Sequence, residues 1–228
     1  MWQGVSSPRP LPPAQTNPPT PKKEAWVAVI VTEVVDPEFM FKANADSESR
    51  TRDCLHATDV IRYVGGKSGL MRQYSEITTW DLKLAANCGF LWEDVIGHVL
   101  GEKHAAVRPG EITLDGVMGS PDGVTVVEGE NGEEELALEE YKFTWKSCKN
   151  GIGHDWYYMT QCQAYMKLVD VTLCRFRVLY VMGDYKGSGP KYVEYLVRAA
   201  QSDVDANWRM LLNHKDAAWE WVKGGCKW

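Results

Sequence analysis

Apolar positions change their period several times along the chain, and each change marks an element. "AWVAVIVTEVV" (25–35) is dense in β-branched residues and predicts a strand. After the polar "KANADSESRTRD", the segment "HATDVIRYVGG" predicts a short helix with Thr58 as its N-cap and Gly65-Gly66 as its stop. Residues 78–104 carry helical spacing, with Leu82, Leu84, Phe90, Leu91, Val95, Ile96 and Val99 as the apolar set and Gly89 interrupting or tightening the helix. Between 111 and 145, short alternating runs broken by Gly, Pro, Asp and Asn predict a β-meander that ends in "LALEEYKFTWK". Helical spacing returns at 154–169. Strands are predicted at 171–183 and 192–200, joined by the Gly-rich "DYKGSGPK", and a Trp-bearing helix at 202–222. The order predicts an α/β (α+β) fold, a central mixed β-sheet flanked by helices, without internal repeats.

Composition adjusts this picture at the ends and in its chemistry. Residues 1–24 hold seven of the eleven prolines and predict a disordered tail, leaving 25–228 as a single domain. A net charge of -6 excludes a broadly basic nucleic-acid coat, while a local basic groove on an acidic body stays open. No run of eighteen apolar residues and no apolar secretory core occur, so no membrane association is expected. The six cysteines contain no C-x-x-C pair, which speaks against a zinc ribbon and for buried thiols in a reducing compartment.

The chemistry concentrates in "LEEYKFTWK" (138–146). Alternation puts Glu140 and Lys142 on one face of the strand, about 7 Å apart, with Tyr141 and Phe143 on the other. Burying either charge alone is costly; a cation and a phosphate together would compensate both. Eighteen residues upstream, Pro121-Asp122-Gly123 opens the preceding strand, and pairing of the two strands would bring Asp122 to Glu140. Two hard carboxylates with a backbone carbonyl and waters suit Mg²⁺.

Asp122 followed by Glu140-Tyr141-Lys142 resembles the D…E-x-K signature of the PD-(D/E)XK nuclease superfamily. Gln161 and Tyr165 in "QCQAY" are similar to the Q-x-x-x-Y helix of its lambda-exonuclease, YqaJ and RecB-like branch, and "GFLWE" (89–93) to that branch's G-x-x-x-E. The resemblance spans 89–165 and implies a restriction-endonuclease-like core that hydrolyses DNA with Mg²⁺ or Mn²⁺. It implies Asp122, Glu140 and the Tyr141 carbonyl as metal ligands, Glu93 assisting, and Lys142 positioning or activating the attacking water. Gln161 and Tyr165 would support the site. A looser likeness of "TRDCLHATDVI" to the entry segment of lambda-exonuclease relatives makes Arg52 the candidate for holding a DNA 5′ phosphate. The same resemblance implies exonuclease action on DNA ends in recombination or repair, with a structure-specific endonuclease or a non-catalytic DNA-end-binding module as alternatives. It further implies a homo-oligomer, a single-strand annealing partner protein and the cytoplasm of a bacterial or phage-infected host.

Each residue has a plainer reading beside this one. Asp122 before Gly123 suits a turn cap. Glu140 and Lys142 could form an exposed pair worth less than ~1 kcal/mol. Glu139 lies on the opposite strand face and is expected to face solvent as a bystander. Glu93 and Asp94 leave the helix register open. Lys146 and Lys149 suit either a phosphate path or a solvated loop. His98, His104 and His154 lack ligand spacing, and Trp208, Trp219 and Trp221 suit packing better than base stacking.

Overall fold

Two groups of strands with different partners build two mixed sheets. The computed structural model describes residues 54–70, 79–100, 106–128, 132–187 and 189–225, with side chains of the second segment described for 87–99. The predicted tail 1–24, the strand 25–35 and Arg52 lie outside the described residues, as does His104.

The first sheet is small. β1 (Leu55–His56) pairs parallel with β3 (Val117–Gly119), which pairs antiparallel with β2 (Ile112–Leu114). Asp115 and Gly116, both at positive φ, make the two-residue turn between β2 and β3, as Asp-Gly does in tight hairpins. The second sheet has the order β4 (Gly123–Glu128), β5 (Glu134–Thr144), β6 (Leu173–Tyr180), β7 (Lys191–Arg198). Its outer pairs are antiparallel and β5–β6 is parallel. The meander expected over 111–145 is therefore divided between two sheets. The chain breaks pairing at Ser120-Pro121, where proline has no N–H to continue a ladder.

Helices α1 (Ala57–Lys67), α2 (Thr79–Leu100), α3 (Trp156–Val169) and α4 (Gln201–Lys223) flank these sheets. Helix α3 begins at Asp155, whose side chain accepts from the Tyr158 N–H at 3.2 Å, and ends at Asp170 in the left-handed region. It is the crossover that parallel pairing of β5 and β6 requires. Its apolar side meets the sheet face bearing Leu138, Cys174, Phe176 and Val178. α1 and α4 add Val60, Ile61, Val204, Trp208 and Leu211 to the same core. Trp208 is buried here and donates from Nε1 to Asp115 at 2.9 Å, so the Trp-bearing helix packs against its neighbours as expected.

Three expectations need correction. α1 begins at Ala57 with His56 as N-cap, placing Thr58 inside the first turn, and it runs through Gly65-Gly66 to Lys67. Gly65 is buried, and the packing of α1 against α4 outweighs its low helix propensity. Gly89 does not interrupt α2. Of the apolar set assigned to α2, Ile96 is buried, while Phe90, Leu91, Val95 and Val99 are exposed. Among the described residues no helix is long and apolar enough to cross a membrane.

Candidate active site

The β4–β5 hairpin sets the centre of the site. Its last pair is Gly123 with Glu139, so Asp122, one residue beyond, falls opposite Glu140. Gly123 is required by space: a Cβ there would come within 2.4 Å of the Ala106 Cβ. Asp122 Oδ2 accepts from the Tyr141 N–H at 2.6 Å, a charge-assisted bond that locks the acid onto the middle of the E-x-K segment. Lys142 donates to Glu140 Oε1 from two residues along the same strand face. Glu140 is wholly buried, and its Oε2 has no hydrogen-bond partner in the protein.

Helix α2 brings in the third acid. Glu93 lies close enough to Asp122 and Lys142 to be influenced by both. Asp94 is exposed, which resolves the register in favour of Glu93. Burial, reinforced by Asp122, pushes the Glu93 carboxyl up to about 7, against the pull of Lys142 and Arg108. Burial also raises Asp122, opposed by Lys142, the Tyr141 N–H and Arg108. Glu140 is raised by burial and by the like charges of Asp122 and Glu93, and Lys142 only partly offsets this. Burial alone would lower the Lys142 ammonium, but Glu140 and Asp122 reverse that and hold it well above its ordinary range. The pair thus has opposite tendencies: the acid resists ionisation, while the amine stays charged.

Gln161 and Tyr165 stand one turn apart on α3, both buried. Burial and then the nearby Glu140 raise the Tyr165 phenol, which the Gln161 side chain hydrogen-bonds. Gln161 Oε1 and the Ser120 hydroxyl, like Glu140 Oε2, are buried without a protein partner. Among the described residues no three acids, histidines or cysteines form a ready-made metal cluster. By donor chemistry alone, carboxylates of this kind suit a hard divalent cation. The set comprises three carboxylates resisting ionisation beside one another, one of them with a buried oxygen lacking any donor.

Glu139 is not where the sequence reading put it. It is wholly buried on the opposite face of β5. Its carboxylate accepts from Arg177 Nε at 2.9 Å and lies 3.6 Å from Arg175. Arg177 also donates to Glu194 at 2.6 Å and to the Tyr192 hydroxyl at 2.8 Å. The missed signal was Arg175 and Arg177 at alternate positions of the apolar strand "LCRFRVLY", the same spacing that singled out Glu140 and Lys142. Lys146 is engaged by Asp155 and stands over the Tyr158 ring, and Lys149 is exposed.

No family model matches the chain, and no curated protein does. Among solved structures, SSO0001 shares 16% identity, covering 77% of this chain and 84% of its own, with a TM-score of 0.45. An alkaline exonuclease from Laribacter hongkongensis, LHK-Exo, shares 15% identity over 76% of this chain and 93% of its own, with a TM-score of 0.39. Its complex with dAMP aligns over the same shares with a TM-score of 0.40. At such scores the chain is similar to these proteins in general layout alone.

Proposed function

We propose that the chain is a metal-dependent DNA phosphodiester hydrolase of the PD-(D/E)XK kind, acting as an exonuclease on DNA ends. The observation that carries this reading is the gathering of Glu93, Asp122 and Glu140 around Lys142, with one Glu140 oxygen left without a donor. A purely structural acid cluster would be expected to satisfy its buried oxygens within the protein.

Asp122, Glu140 and the Tyr141 carbonyl are the residues that would hold Mg²⁺ or Mn²⁺, with Glu93 assisting directly or through water. When bound, the cation would polarise a phosphoryl oxygen and lower the pKa of a water. The protein groups have separate tasks. Lys142, held charged, orients the attacking water and stabilises negative charge developing on the phosphate. The Tyr141 N–H holds Asp122 in line with Glu140. Gln161 and Tyr165 brace the Glu140–Lys142 pair from α3. The preference for exonuclease over endonuclease rests on the order G-x-x-x-E, D…E-x-K, Q-x-x-x-Y along the chain.

Incubation with linear duplex, single-stranded and closed circular DNA, each with Mg²⁺ or EDTA, tests the proposal. Mg²⁺-dependent loss of linear DNA with circles intact is the expected result. Cutting of closed circles would make the protein an endonuclease. No metal-dependent loss of any substrate, or full activity in Lys142→Ala, would overturn the hydrolase reading.

A further inference from the structure

Two cations act on the acids of the site, and Lys142 is already committed to Glu140. The other is Arg108, in the segment between α2 and β2. Val107 is pinned to Val124 of β4 by two backbone bonds, N–H to O at 2.8 Å and the reciprocal one at 2.9 Å. Ala106 abuts Gly123 so closely that no side chain fits there. On the other side, Pro109 restricts the Arg108 backbone to extended conformations, and Gly110 turns the chain away at φ +75°. The Arg108 backbone is therefore fixed beside Asp122 while its side chain reaches solvent.

The guanidinium has a particular electrostatic position. It acts on Glu93 and Asp122, yet among the described residues it makes no hydrogen bond or ion pair. An arginine meant only to neutralise the acids would be expected to close onto one of them, since bidentate pairing with a carboxylate is its strongest geometry. Exposed and without a protein partner among the described residues, it presents free donors beside the acids. In a chain of net charge -6, a polyanion approaching that site needs such a donor.

We propose that Arg108 is a phosphate clamp, its guanidinium donating to non-bridging oxygens of a phosphodiester in the DNA strand that lies over Asp122 and Glu93. The assignment rests on the nuclease reading and adds to it a substrate contact outside the D…E-x-K and Q-x-x-x-Y motifs. The clamp positions the strand and takes no part in proton transfer.

The test compares wild type, Arg108→Gln, Arg108→Lys and, as a control of equal charge change, Arg209→Gln on the exposed side of α4. Binding of a fluorescein-labelled linear duplex is followed by anisotropy in Ca²⁺ across a salt series, and hydrolysis in Mg²⁺. Arg108→Gln is expected to weaken binding about tenfold and reduce the slope of log K against log salt by about 1. KM should rise correspondingly, with kcat nearly unchanged. Arg108→Lys should recover the salt slope, a rescue that a folding defect would not show, and Arg209→Gln should match wild type. Wild-type KM, affinity and slope in Arg108→Gln, with hydrolysis intact in the unmodified chain, would overturn the clamp and leave the nuclease standing. If the unmodified chain neither binds nor degrades DNA, the nuclease reading falls and the clamp with it.

Discussion

Glu139 and Glu140 are neighbours on one strand, equally buried, and they lie in opposite kinds of surroundings. On the Glu139 face, two arginines, Glu194 and Tyr192 form a network in which the acid has donors on both oxygens. On the Glu140 face there is one ammonium, two further acids, and an oxygen with no donor. Burial of charge by itself therefore separates nothing here. The pairing of the carboxylate itself does: Glu139 has donors on both oxygens, although the Arg175 Nε in its network stays without a hydrogen bond, whereas Glu140 has a donor on one oxygen alone.

The comparison can be broken most decisively by exchanging the acids. Glu140→Gln and Lys142→Ala should each cut DNA hydrolysis by about a thousandfold or more while the proteins remain folded, as read by initial rates and circular dichroism. Glu139→Gln should keep hydrolysis per folded molecule. If Glu139→Gln abolishes activity in folded protein while Glu140→Gln does not, the two faces have been assigned the wrong way round.

Stability should move the other way. Glu139→Gln leaves the buried Arg177 and the half-buried Arg175 short of a counter-charge and should cost about 3 kcal/mol in denaturant unfolding. Glu140→Gln deprives only Lys142 of a partner, and Asp122 remains beside that ammonium, so its cost in EDTA should be clearly smaller. Equal losses would mean the two environments do not differ energetically.

pH tests the acids gathered around Lys142, although burial raises Glu139 too and the direction of its shift does not set it apart. Glu93 is raised to about 7 and Glu140 is raised as well, so the folded state binds protons more tightly than the unfolded chain. Their contribution to stability is fully present below the ordinary carboxylate range. It is lost as pH rises through about 7 and beyond. In EDTA the melting temperature should fall from pH 5 to pH 8.5. Mg²⁺ should restore part of it at pH 8.5, where the carboxylates are free to ligate, and should not do so in Glu140→Gln. A Mg²⁺ effect as large at pH 5 would contradict the raised acids. The smallest effect belongs to the rim of the Glu139 network. Tyr192→Phe removes one donor-acceptor contact to Arg177 and should cost about 1 kcal/mol without altering hydrolysis.

The Glu140 side of this contrast was legible in the sequence and the Glu139 side was not, and the failures have a physical pattern. Period and turn chemistry located the four helices and the strands from 112 onward, where local preference agreed with the final fold, while the two-residue strand Leu55–His56 gave no such signal. The convergence of Asp122 with Glu140 followed from counting residues across a hairpin. What the strand alone could not show was the surface covering each face. Glu139 looked solvent-bound because alternation says which residues share a side and is silent on whether that side is covered. Its partners Arg175 and Arg177 lie on β6, more than thirty residues away in sequence. Arg108 carried no motif at all, and only the bridge between Val107 and Val124 brings it to Asp122. Gly65-Gly66 misled because packing against α4 overrides the local tendency to stop.

The hairpin geometry also has a consequence for the order of assembly during folding. Asp122, Glu140 and Lys142 meet through β4 and β5, adjacent strands joined by a short connection, so closing that loop costs little chain entropy. Gln161 and Tyr165 arrive only when the crossover helix has folded and β6 has docked in parallel beside β5, a slower event. A nascent chain therefore confronts the repulsion between its acids before it has any cover to place over them. Lys142, carried in the same strand as Glu140, accompanies that acid from the first step.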